Sequence, residues 1–117
     1  MTKHISDDTI KQLQDWGAGH SRIGKIWAFG DYAKGTANSD SELDLALEFE
    51  KMPIDRALSE LIEHRRHWKH ELTVLLGVRV RHIQLANDPN DLAFNDVKEN
   101  GLLLYHKKEK RCGWRNG

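Results

Sequence analysis

Cysteine is nearly missing from this chain of 117 residues: Cys112 stands alone, so no internal disulfide can form, which fits a reducing cytoplasm. Long apolar runs are missing too. The longest span three or four residues, as at Val74 to Leu76, and none is long enough to cross a membrane. The opening stretch, Met1 to Asp8, is polar and lacks the apolar segment of a signal peptide. Neither sign of charge is in excess, because 18 Lys and Arg balance 18 Asp and Glu. A protein that lives on long nucleic acid carries a basic surplus, so nucleic acid is not an expected partner. With 31% charged residues and a mean hydropathy of −0.69, the expectation is a soluble cytoplasmic protein without membrane contact. The length suits one domain with one modest core.

What is present is punctuated clearly. Ser6-Asp7-Asp8 predicts a helix start, and Ile10, Leu13 and Trp16 follow at helical spacing until Gly17 and Gly19. Ile23 to Phe29 is a short apolar run that reads as a buried strand. Gly30 to Ser41 is rich in turn formers and reads as a turn, with room for one helical turn, and then a loop. From Glu42 to Glu50 the chain alternates: Leu43, Leu45, Leu47 and Phe49 against Glu42, Asp44, Ala46, Glu48 and Glu50, a strand with one apolar and one acidic face. Pro53 opens a long helix whose expected buried stripe is Ile54, Ala57, Leu58, Leu61, Ile62, Trp68, Leu72 and Leu75, with Gly77 as its stop. Val78 to Leu85 reads as a strand, Asp88-Pro89 as the start of a last helix ending near Asn100-Gly101, and Leu102 to Tyr105 as a short edge strand. The expected architecture is α+β, a small mixed sheet with helices on one face and the other face partly open. Residues 1–105 form the expected domain. Residues 106–117 form a basic tail, with Lys107, Lys108, Lys110, Arg111 and Arg115 against Glu109, expected to be flexible.

The stretch from Trp27 to Phe49 carries the chemistry. At Gly30 no Cβ intervenes, so backbone can approach a ligand, and free N–H groups in such a turn can cradle phosphate oxygens. Residues two apart on a strand share a face, so Glu42 and Asp44 converge on one site. Two converging hard oxygen donors can hold magnesium, which itself binds triphosphate.

The run Phe29-Gly30-Asp31-Tyr32-Ala33-Lys34-Gly35-Thr36-Ala37-Asn38-Ser39-Asp40-Ser41-Glu42-Leu43-Asp44-Leu45-Ala46 resembles the signature of the DNA polymerase β-like nucleotidyltransferases: a strand, Gly-Ser, a glycine-bearing loop, then Asp-x-Asp inside an apolar strand. The resemblance continues through Trp68, Glu71 and Leu72, Leu76-Gly77-Val78, and Asn100 to Tyr105, and is strongest to the minimal members of the superfamily. It implies a polymerase β palm-like fold and Glu42 and Asp44 as catalytic metal carboxylates for Mg2+ or Mn2+. It also implies a nucleoside triphosphate, ATP foremost, bound through Gly30, Asp31, Lys34, Gly35 and Arg81. The reaction implied is transfer of a nucleoside monophosphate to a hydroxyl of a protein or small molecule, and in many such proteins the role is antitoxin to a helical HEPN-type partner.

Three positions depart from the family pattern. Asp31 replaces the serine after the first glycine, and its charge beside a triphosphate needs an offset from a metal or Lys34. Glu42 replaces the first aspartate. Arg81 stands where the third carboxylate falls. Losing that carboxylate spares nucleotide binding more than transfer, and a guanidinium there pairs well with phosphate. Asp40 is a stand-in metal ligand if the strand begins early. These departures keep a second reading open, a degenerate module that binds nucleotide or docks on a partner.

Blander readings accompany several of these residues. Asp31 and Lys34 equally suit plain turn positions, and Glu48 and Glu50 suit a solvated strand face. His64, His67 and His70 with Arg65, Arg66 and Lys69 fit a solvated basic helix face better than a metal site. His82 suits a structural role better than that of a base. Trp16, Trp27 and Trp68 fit core stripes. Trp114 in the tail suits a terminus better than a stacking platform.

Overall fold

Ser6 begins the first helix as its side chain suggests: Oγ accepts from the Thr9 N–H at 3.1 Å, and α1 runs Asp7–Ala18. The computed structural model describes residues 4–38 and 40–107. The further elements are β1 Ile23–Phe29, α2 Asp31–Lys34, β2 Leu43–Phe49, α3 Ile54–Leu76, β3 Val80–Leu85, α4 Phe94–Asn100 and β4 Leu102–His106. They form one mixed sheet in the order β3-β2-β1-β4. β1 runs antiparallel to β2 and β4, while β2 and β3 are parallel, a pairing that needs a long crossover, here α3. No helix among the described residues is long and apolar enough to cross a membrane.

The main core lies between the sheet and α1 with α3. Leu45 and Leu47 of β2, Ile23 and Ile26 of β1, Leu13, Leu61 and Leu72 are all fully shielded from solvent. Each such side chain contributes roughly 1.5–3 kcal/mol through its removal from water. Alternation along β1 and β2 sends the other residues to the opposite face, where Phe29 and Ala46 meet Ala93 and Val97 of the α4 segment. The two long helices thus cover one face as expected, and the short α4 covers part of the other.

Four expectations need correction. The even-numbered face of β2 is not a uniformly acidic face, because β2 is an internal strand: Asp44 and Ala46 are buried, and Glu48, with Glu42 and Glu50 just beyond the strand ends, is partly exposed. The buried stripe of α3 is Ala57, Leu61, Trp68, Leu72 and Leu76, so Ile54, Ile62 and Leu75 lie off it and are exposed. The last helix starts at Phe94 rather than at Asp88-Pro89. The Asp88 and Asp91 carboxylates accept from the N–H groups of Asn90 and Ala93, both at 2.9 Å, and fix turns in place of a helix. His106 is the last residue of β4, and Lys107 donates to the Ser21 carbonyl at 2.7 Å, so both belong to the folded body. The remainder of the expected tail, with Cys112 and Trp114, lies outside the described residues.

Candidate functional site

The β1–β2 register brings the glycine turn and the carboxylate strand together. Phe29 pairs with Asp44, so Gly30, the next residue, sits beside the Asp44 side chain. Gly30 has φ 75° and ψ −146°, a region open essentially to glycine alone. A Cβ built there would lie 2.5 Å from Asp44 Oδ2. Glycine is therefore required twice, by backbone conformation and by the closeness of the acid. After it, α2 makes one turn and ends at Gly35, which is left-handed at φ 75°. The Thr36 N–H donates to the Asp31 carbonyl at 3.0 Å, closing the loop.

Asp44 is 2% exposed, the only charged residue among the buried ones described. A carboxylate so shielded needs a counter-charge, and Arg81 supplies it through a two-pronged contact, Nε on Oδ1 at 3.0 Å and the terminal nitrogen on Oδ2 at 2.6 Å. The pairing of β2 with β3 shifts here: Leu43 faces Val80 while Asp44 faces His82, leaving Arg81 as the extra residue of a bulge. Glu42 lies just before β2 and pairs with Arg79, Nε to Oε2 at 3.1 Å. The hydrogen bond and charge of Asp44, then the charges of Glu42 and Asp31, raise the Arg81 pKa above its ordinary value. Of the four acids that sequence reading singled out, Asp44 touches this guanidinium, and the charges of Glu42 and Asp31 act on it as well.

The other singled-out residues have definite places. Asp31 is exposed and accepts from Thr36 Oγ1 at 3.3 Å. Lys34 lies 3.7 Å from Asp96 of α4 rather than on Asp31. Asp40 is exposed in a turn, its N–H held by Asn38 Oδ1 at 2.8 Å; β2 begins at Leu43, so the early strand start that would align Asp40 with Asp44 is not found. His82 is exposed. Among the helix histidines, His64 does not lie on a solvated face: it stacks on Trp68 at 4.8 Å. Sequence reading missed Arg79, Asp96 and Asn87. The last clamps the end of β2 by accepting from the Phe49 N–H at 2.7 Å and donating to its carbonyl at 3.0 Å. Only the repeated Val-Arg-Val-Arg of residues 78–81 hinted that two arginines would share a strand edge.

The donor types at this end of β2 are those a divalent cation takes. Asp44 and Glu42 are hard oxygen donors on neighbouring positions, and the arginines now on them mark a place that demands positive charge. A third carboxylate on β3 is not supplied, since Arg81 stands there.

A mixed four-stranded sheet with a buried acid set against a glycine turn defines a nucleotidyltransferase-type domain. The comparisons agree: the family model for the polymerase beta nucleotidyltransferases matches residues 11–110, and the chain belongs to that family. A protein adenylyltransferase MntA from Thermococcus cleftensis is 30% identical over 77 residues, 66% of this chain and 71% of that protein. Two solved structures share the fold. A toxin–antitoxin crystallised with AMP-PNP superposes with a TM-score of 0.57 at 20% identity, over 86% of this chain and 73% of that one. A mutant of the toxin–antitoxin MntA–HpeT gives 0.56 at 22% identity, over 87% and 73%.

Proposed function

We propose that this chain binds a nucleoside triphosphate with its divalent cation at the Gly30 turn and transfers the nucleoside monophosphate, AMP foremost, to a hydroxyl of a protein partner. The observation that carries this is Asp44, a buried carboxylate held against a glycine that no other residue can replace without strain. Asp44 and Glu42 are the residues that would hold Mg2+ or Mn2+, whose chemistry is to stabilise charge on the phosphoryl oxygens. Gly30 and Gly35 keep backbone open towards the phosphates, and Arg81 and Lys34 are the cations proposed for them. In the transfer, the acceptor hydroxyl releases its proton to solvent as its oxygen forms a bond to the α-phosphorus, the bond to the pyrophosphate oxygen breaks, and pyrophosphate leaves with that electron pair. Adenylyl transfer is supported by the MntA relative and by the AMP-PNP of a structural neighbour. The same neighbours support an antitoxin role, for which a HEPN-type toxin in the cytoplasm is the proposed partner, with the folded body that reaches Lys107 as the transferase domain.

A second reading is favoured by one specific feature, the Arg81–Asp44 pair, which occupies the acid that the reaction needs. In that reading the domain binds nucleotide or partner without turnover. Incubation with radiolabelled ATP, Mg2+ or Mn2+ and candidate toxins separates the two. Label on the toxin that disappears in Asp44→Asn supports transfer. Binding without label supports the module, and absence of any cation-dependent nucleotide binding leaves only docking on a partner.

A further inference from the structure

Each carboxylate proposed for the cation already has an arginine. Arg81 covers both oxygens of Asp44, and Arg79 holds Glu42. A free divalent cation therefore meets donors that are taken. A free triphosphate fares no better, because two arginines against Asp44, Glu42 and Asp31 leave one net negative charge where the phosphates must sit. The combination is different. A cation on the carboxylates releases the guanidinium groups, and these then face phosphate oxygens. The two partners differ in freedom to move. The Arg81 side chain is 46% exposed, while that of Asp44 is 2% exposed and fixed in an internal strand. In an exchange, Arg81 is the member that leaves.

We infer that Arg81 is an exchangeable counter-ion: it holds Asp44 in the ligand-free protein and turns to the triphosphate when a divalent cation takes its place, so that cation and triphosphate bind together and neither binds well alone. The inference rests on the nucleotide site proposed above and adds its selectivity. The ligand is the cation–triphosphate pair, and Arg81 makes it so. Coupling of this kind is reciprocal, and both halves pass through one residue. Removing the guanidinium must therefore move the two affinities in opposite directions.

The test uses the full chain as wild type, R81Q and R81K. Mn2+ binding without nucleotide is read by electron paramagnetic resonance. Binding of a fluorescent, non-hydrolysable ATP analogue at saturating Mn2+ is read by anisotropy. R81Q is expected to bind Mn2+ alone about 10-fold more tightly and the Mn2+–analogue complex about 10-fold more weakly, within the usual span of coupling factors. R81K keeps the charge without the fork and is expected to fall between. Should R81Q fail to fold by circular dichroism, R81K shows the same two signs at smaller size. The inference is overturned if Arg81 substitution leaves Mn2+ affinity unchanged or moves both affinities the same way. Failure of the nucleotide site looks different: the wild type then binds no Mn2+–analogue complex at all, and the exchange falls with it.

Discussion

Two arginine–carboxylate pairs sit at opposite ends of β2 and behave as different objects. At the Gly30 end, Arg81 grips a 2% exposed Asp44 with both prongs. At the Phe49 end, Arg22 makes a single contact of 2.9 Å with Glu60 of α3, and His64 stands 3.7 Å from the same carboxylate. The second pair borders an open hollow of about 270 Å³ lined by His20, Arg22, Phe49, His64 and Trp68 among others. Its walls are the edge of the core, and Glu60 stands between Arg22 and His64. Trp68 there is 6% exposed and meets Trp16 edge-on at 5.5 Å, with Phe49 and His64 stacked near it. On the proposed reading, the buried acid beside a glycine-only turn serves ligand binding, whereas the acid at the rim of an aromatic cluster belongs to stability. If so, substitutions at the two ends separate: one end changes ligand binding, the other changes folding.

The strongest attempt to break that separation is Trp68→Ala. Deleting a buried indole costs about 3–5 kcal/mol, read as a shift of the urea midpoint followed by circular dichroism. Nucleotide affinity, measured where the variant is still folded, is expected to stay within twofold of the wild type. A large fall in affinity would show that the two ends are coupled through β2. Gly30→Ala probes the other end with a smaller stability effect. A non-glycine residue at that backbone conformation costs about 1–3 kcal/mol, and the new methyl presses on Asp44. Here the expected pattern inverts: a modest loss of stability with loss of nucleotide binding. Retention of full affinity in Gly30→Ala would remove the turn from the site.

How much of this could be read from the chain depended on the range of the interaction. Ser6, the run Ile23 to Phe29 and the alternation through Asp44 were legible because caps, apolar runs and period-two patterns are local. The Asp44–Arg81 pair spans 37 positions and depends on how β2 and β3 come into register, with a bulge that no local pattern announces. Arg81 could be singled out from the family pattern, but its hold on Asp44 could not. α3 misled for a related reason. Ile54, Ile62 and Leu75 lie off the row that runs through Ala57, Leu61, Trp68, Leu72 and Leu76, and this last residue is buried even at the helix end. Apolar character alone could not tell which neighbouring row would face the strands. The turn at Asp88-Pro89 has the residues of a helix start, yet its acids bind nearby N–H groups and hold separate turns.

The smallest expected effect sharpens the comparison at the Phe49 end. Burial lowers the pKa of His20 below its ordinary value, the charge of Glu71 opposes this, and His64 reinforces it. His20 packs against Trp16 at 4.2 Å and Trp68 at 5.3 Å, so its neutral ring belongs to the aromatic cluster. Because the folded-state pKa lies below the unfolded one, the stability linked to His20 is fully present above the ordinary imidazole value of about 6.5 and is lost as pH falls through the lower folded-state value. Melting temperatures of wild type and His20→Gln between pH 7.5 and 5 isolate this contribution, since the other histidines are common to both. The wild type is expected to lose more stability than His20→Gln across that range, while nucleotide binding at pH 7.5 is the same in the two. Parallel pH profiles would mean that the cluster tolerates a charged ring, and the hollow would then have to be reconsidered as something more than the edge of the core.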